Sequence, residues 1–277
     1  MKSSLIVLLK NNITALPLLL ESLKQQTEKE FEVILAHDGY SEELENNLKS
    51  IKGTMPFQIT YLSHNDNCYR REAMLNNAIS LSQSDYLIFI EDGTILHHKF
   101  IAEHLRLSRY GKVVAARKVP ITKELLSEIT PQLISQKKIH SHIKYRLLWK
   151  GIGNSTSEMH RITNGFLRHF ILDDVWQGLS TDNFSLYKED MMAANGFDER
   201  FDVKSEESDF ELELRLMQAG VFTKEERRIA TLYKVCGEET KTTSEISSNI
   251  LEESSKNNLS WTPYGIIKED LQPQDEE

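Results

Sequence analysis

Cysteine is nearly missing from this chain: 277 residues carry only Cys68 and Cys236. They form no metal-type spacing, and two lone thiols fit a reducing cytoplasm rather than a disulfide scaffold. A basic surplus is missing too. Lys and Arg number 33 against 42 Asp and Glu, a net charge of -9, which argues against a nucleic-acid partner, since phosphate contacts need a basic face. Long apolar runs are absent; Ser4–Leu9 and Leu16–Leu20 fall far short of the roughly 20 residues that span a bilayer. The start, Met1 to Lys10, has a short apolar core without a small-residue cleavage site, so it reads as a first strand and not as a signal peptide. No internal repeat or interdomain linker is visible. What remains, 39% hydrophobic and 27% charged residues, is an ordinary globular composition able to bury a full core.

The most informative stretch is Tyr86-Leu-Ile-Phe-Ile-Glu-Asp-Gly93. Five apolar residues read as a strand buried on both faces, ending abruptly in two carboxylates and a glycine. Open α/β sheets bind ligands at the carboxyl ends of their strands, so Glu91 and Asp92 stand where a metal or phosphate would be held. A polar turn closing a core strand is the plain alternative. Further strands are expected at Leu5–Leu9, Phe31–Ala36, Phe57–Leu62, Gly111–Val119 and Asn183–Tyr187, with an edge strand at Ile229–Val235. Helical spacing marks Ile13–Gln26, Ser41–Ile51, Arg70–Leu81, Glu189–Ala194, Glu206–Ala219 and Thr243–Glu253, with weaker candidates at Leu125–Ile134 and Ile139–Trp149. Alternating strands and helices predict an α/β fold with a mostly parallel sheet. His97, His98 and His104 fall on an expected surface helix as solvated side chains.

Five segments together carry a family resemblance. They are Leu18–Thr27, Phe31-Glu-Val-Ile-Leu-Ala-His-Asp-Gly39, Tyr69-Arg-Arg-Glu-Ala-Met-Leu-Asn-Asn-Ala-Ile79, Asn183-Phe-Ser-Leu-Tyr187 with Asn195-Gly-Phe-Asp-Glu199, and Arg215-Leu-Met-Gln-Ala-Gly220. In this order they resemble the inverting glycosyltransferases of family 2, and look closest to the bacterial subgroup that builds lipopolysaccharide and other surface polysaccharides. The resemblance implies a single GT-A domain, the Rossmann-like fold of nucleotide-diphospho-sugar transferases. It divides the chain into a nucleotide-sugar-binding half (1–119), a variable insert (120–181), an acceptor and catalytic half (182–255) and a flexible tail (256–277).

By the same resemblance, Asn11, Asp38, Arg70, Glu91 and Asp92 bind the nucleotide sugar, a UDP-sugar by expectation, and Glu91 and Asp92 hold a divalent Mn or Mg ion. Asp209 is the expected base, with Glu207 its rival. Each has a plainer alternative: Asp38 an Asp-Gly turn, Arg70 a solvated helix start, the acidic residues favourable charge in a first turn. The chain departs from the family in telling places. Gly93 stands where a second metal-binding carboxylate is usual, and Lys234 and Gly237 replace two histidines. Lys234 is then either a fixed cation substituting for the metal's charge or a lysine in water. The acceptor is expected to be a glycan, free or lipid-linked. The basic stretch Lys137–Lys150 offers a peripheral contact at the inner face of the membrane, or simply a solvated helix. Trp149 and Trp176 are candidates for sugar stacking or core packing. The competing reading is a pseudo-glycosyltransferase that keeps the fold as a glycan-binding or scaffold partner.

Overall fold

The computed structural model describes residues 1–10, 15–65, 68–116, 118–139, 141–142, 179–203, 206–226, 232–235 and 244–268. The first half follows the expected alternation: β1 (Ser3–Leu9), α1 (Leu16–Lys24), β2 (Phe31–His37), α2 (Glu42–Ile51), β3 (Gln58–Leu62), α3 (Arg71–Leu81) and β4 (Tyr86–Glu91). Then come β5 (Thr94–Leu96), α4 (Phe100–Leu107), β6 (Lys112–Ala116), β7 (Lys118–Ile121), α5 (Lys123–Ser127) and α6 (Pro131–Ser135). The last part holds β8 (Asn183–Tyr187), α7 (Lys188–Ala193), α8 (Glu206–Gln218), β9 (Phe222–Glu226), β10 (Leu232–Val235) and α9 (Glu245–Lys256).

The main sheet has the order β3-β2-β1-β4-β8-β6-β9, and β8 alone runs antiparallel to its neighbours. Every residue of β1, β2 and β4 is buried, which is why these strands read as unbroken apolar runs. Alternation divides their side chains between two layers. Leu5, Val7 and Leu9 pack with Leu19, Leu23, Leu44 and Leu48 of α1 and α2. Ile6 and Leu8 face Leu75, Ile79, Leu212 and Leu216 of α3 and α8. Burying each such chain contributes about 1.5–3 kcal/mol. A second sheet, β5-β10-β7, packs on α5 and α6 through Ile95, Ile121, Leu125 and Tyr233.

Several expectations are corrected. The strand expected over Gly111–Val119 is two strands in different sheets, because the chain crosses from one to the other between Ala116 and Lys118. The helix expected over Leu125–Ile134 is two, since Pro131 lacks an N–H and opens α6 behind the Thr130 cap. The C-terminal strand is not an edge: β10 lies between β5 and β7. Residues 257–268, expected within a flexible tail, are clasped by Asn195, whose amide donates to the Thr262 carbonyl at 2.7 Å and accepts from Ile267 N at 2.8 Å. Residues 269–277, Trp149, Trp176 and the helix expected beyond His142 lie outside the described residues.

His104 is also corrected. It is fully buried, with Nδ1 2.7 Å from Ser185 Oγ and Nε2 3.2 Å from Asn183 Oδ1, so it pins α4 to β8. Burial pushes its imidazole down to about 3. With the folded value depressed, its contribution to stability is complete above the unfolded value of about 6.5 and is lost as pH falls towards 3. Protonation in the unfolded chain alone then costs about 2 kcal/mol between pH 7.5 and pH 5. His104→Gln cannot protonate, so urea unfolding at the two pH values should show a smaller loss for the variant than for the natural chain, by about that amount.

Candidate active site

The sheet order 3-2-1-4 makes the growth of the sheet reverse between β1 and β4. A crevice opens at the carboxyl ends of strands at such a switch point. Lys10 follows β1, Asp38 follows β2, and Glu91 and Asp92 close β4. The two central strand ends are stitched together: Asp92 N donates to Leu8 O at 2.8 Å, and Lys10 N donates to Asp92 Oδ2 at 2.8 Å. Gly93 then takes a φ of +68°, a left-handed turn that glycine adopts without strain and that swings the chain into β5.

Glu91 is buried between two ammonium groups. Lys10 Nζ contacts its Oε1, and Lys234 Nζ lies 3.2 Å from its Oε2. Lys234 reaches this point because β10 pairs it with Thr94, just past the turn. It also donates to the Asp92 carbonyl at 2.8 Å. Burial works against the Glu91 charge, and Lys10, Lys234 and Arg71 outweigh it, holding the carboxyl well below the usual carboxylate range. Two residues away in register, Lys118 of β7 sits on the same face as Lys234 and pairs with Asp182, while Lys234 lies 3.4 Å from Asp182 Oδ1. Lysines and carboxylates thus alternate from Lys10 through Glu91, Lys234 and Asp182 to Lys118.

A second cluster adjoins it. Arg71, in the first turn of α3, is fully buried, and its Nη2 lies 2.6 Å from Asp209 Oδ1 on α8. The same guanidinium contacts Glu72 at 2.8 Å and Thr181 Oγ1. Burial opposes the Arg71 charge, but Asp209, Tyr69 and Glu72 more than restore it. Burial pushes the Glu72 carboxyl up, with Arg71 pulling the other way. Asp209 accepts from Arg71 and the Thr181 hydroxyl on Oδ1 and from Thr181 N at 2.8 Å on Oδ2. A carboxylate has about four acceptor sites, so one remains on Oδ2. Thr181 and Asp182 are neighbours in sequence, so the two clusters form one network under the crevice. Behind it, Glu211 and Arg215 make a fully buried i,i+4 pair at 2.6 Å, with Arg215 also donating to Gly196 O at 2.9 Å.

The structure therefore brings Glu91, Asp92 and Asp209 together. Asp38 lies at the neighbouring strand end, where its Oδ1 accepts from His64 Nε2 and from Arg70 N, both at 2.9 Å. His64 Nδ1 is buried without a hydrogen bond. Arg70 is exposed, and it is Arg71 that enters the network. Glu207 faces α9, where Ser248 Oγ donates to it at 3.0 Å. Asn11 lies outside the described residues. Sequence reasoning passed over Arg71, Thr181, Lys118 and Asp182; only the oddity of two adjacent arginines at a helix start hinted at the first.

The divalent-ion site expected at Glu91 and Asp92 meets a different arrangement. Both Glu91 oxygens are gripped by ammonium groups, which take the ligand positions and repel a cation. Among the described residues no group of three or more His, Cys, Asp or Glu could hold a metal ion. The side chains as placed do not fit a divalent ion.

The model of Glycosyl transferase family 2 matches residues 4–172, more than half of the chain. The chain belongs to this family. No curated protein matches it in sequence. Solved structures share its fold, which is GT-A. TarS of S. aureus superposes with a TM-score of 0.55 at 13% identity, over 93% of this chain and 40% of that one. GalNAc-T7 with UDP, GalNAc and Mn²⁺ gives 0.59 at 11% identity, over 93% and 49%. The Pyrobaculum calidifontis mannosyltransferase PcManGT, in complex with GDP-Man and Mn²⁺, gives 0.54 at 11%, over 85% and 56%. This family 2 chain thus spans about two fifths of TarS and about half of the other two.

Removing Arg71 leaves buried carboxylates without their counter-charge. Arg71→Met should destabilise the fold by roughly 3–5 kcal/mol, whereas Arg70→Ala, at an exposed position, should cost under about 1 kcal/mol. Urea unfolding of the two variants measures the difference.

Proposed function

We propose that this chain is an inverting glycosyltransferase that moves a sugar from a nucleotide donor, taken to be a UDP-sugar, onto a glycan of a bacterial surface polysaccharide. The observation that carries the reading is the buried network joining Asp209 to the strand ends of β1 and β4. It sets a carboxylate with one open acceptor site in the same network as Lys10 and Lys234, which meet Glu91 at the strand ends. TarS in complex with UDP and with UDP-GlcNAc, and the two neighbours holding UDP or GDP-mannose, support a nucleotide-sugar donor.

In this reading Asp38 holds the nucleoside. Its Oδ2 is an acceptor suited to an N–H of the base or a ribose hydroxyl. The acceptor hydroxyl donates to Asp209 Oδ2 and attacks the anomeric carbon from the face opposite the diphosphate. The new C–O bond forms as the bond to the β-phosphate oxygen breaks, its electron pair leaving with the nucleoside diphosphate. The hydroxyl proton passes to Asp209, and one displacement inverts the anomeric centre. Arg71 and Thr181 fix the Asp209 carboxylate, as a base must be fixed to meet its proton in line.

The acceptor surface falls to the half that follows residue 181. Among the described residues no helix is long and apolar enough to cross a membrane, so contact with a lipid-linked acceptor at the inner face would rest on the basic stretch after Lys137. One observation favours a second reading. With both Glu91 oxygens occupied, the chain could bind a donor without turning it over, as a scaffold would.

Turnover separates the two. Asp209→Asn should bind a UDP-sugar within about twofold of the natural chain, yet release UDP to water or acceptor at least about 100-fold more slowly. Asp38→Ala should weaken UDP binding about tenfold. UDP release unchanged in Asp209→Asn removes the assigned base, and absence of release from the natural chain with every donor tried supports the scaffold.

A further inference from the structure

We infer that Lys10 and Lys234 bind the donor's diphosphate directly and replace a divalent cation, so that donor binding by this chain is independent of metal. The inference rests on the donor site proposed above.

The charges support it. Glu91 and Asp92 bring two negative charges to the end of β4, and Lys10 and Lys234 bring two positive ones. This equals the balance of two carboxylates around one divalent ion. The positions support it too: Lys10 directly follows the strand on one side of the switch point, and Lys234 is anchored against the end of the strand on the other. Lys234 is buried, and its ammonium makes two hydrogen bonds, to Glu91 Oε2 and Asp92 O. Its third close neighbour, Asp182 Oδ1, is 3.4 Å away and buried with no hydrogen bond. One Lys234 N–H is therefore left to turn to a phosphate oxygen. Lys118 keeps Asp182 neutralised when it does.

Lys234 is buried and Lys10 half-buried, so water screens both ammonium groups less than it would a surface lysine. Charge that gathers on the leaving phosphate as its bond to the sugar breaks then meets fixed cations that need no reorganisation. Glu91 acts as the positioning residue that holds both.

Calorimetric titration of the purified full chain with UDP, in EDTA and in MnCl₂, tests the inference, alongside Lys234→Met and the charge-preserving Lys234→Arg. Thermal melting of each variant confirms folding. The affinity for UDP should agree within about twofold in the two buffers. It should fall roughly 10- to 100-fold in Lys234→Met and recover at least partly in Lys234→Arg. Binding that disappears in EDTA and returns with Mn²⁺ overturns the inference while leaving the donor site standing. Unchanged affinity in a folded Lys234→Met overturns it as well. If neither UDP nor GDP binds in either buffer, the donor site itself fails and the inference falls with it.

Discussion

The carboxylate of Glu91, clamped between Lys10 and Lys234, is the contact on which the rest of the site depends. It joins three parts of the chain that are far apart in sequence: the end of the first strand, the end of the fourth, and the small sheet that carries Lys234. A buried charge without partners is costly, and one with two ammonium partners is tolerated only where their geometry is held. The surrounding structure holds it: β10 is paired on both sides, Asp92 bridges to Lys10 N, and Gly93 turns the chain between them. The site is therefore built from the topology, not added to it.

From this clamp the polar network runs inward to Asp182, Thr181, Asp209 and Arg71, and stops at the apolar layer of α3 and α8. The arrangement separates tasks by depth. Arg71, Glu72, Glu211 and Arg215 are buried and paired, and they stiffen the wall of the site. Asp209 keeps one unfilled acceptor position, and Lys10 and Lys234 are the cations at the strand ends that the proposal assigns to the diphosphate. Asp38 lies apart from this network, at the end of β2, where it accepts from His64 and Arg70 N.

The main strands and the long helices were legible because burial on both faces leaves unmistakable apolar runs, as in Leu5–Leu9 and Tyr86–Ile90. The shorter strands were not. β5 has three residues, and β9 is an edge strand whose Phe222 is exposed, so neither carries a periodic signal. The strand end at Glu91-Asp92 and the base candidate Asp209 could be read from position and motif. What could not be read was which cation meets which anion. Arg70 and Arg71 look alike in sequence, and only the direction of the first turn of α3 buries one and exposes the other. His104 looked solvated because its buried partners, Ser185 and Asn183, lie about eighty residues away on β8. Likewise, Gly93 and Lys234 each read as the loss of a metal ligand, and only their proximity shows that one makes room for a turn and the other fills the space with charge.

The central claim is that fixed lysines, not a divalent ion, stand at the end of β4. A crystal structure of the chain grown with UDP and excess MnCl₂, with data collected at the manganese edge, tests it most directly. The account predicts diphosphate oxygens in hydrogen-bond contact with the ammonium groups of Lys10 and Lys234 and no anomalous peak beside Glu91 or Asp92. A manganese peak bridging those carboxylates to the diphosphate, with the lysines turned away, would contradict it.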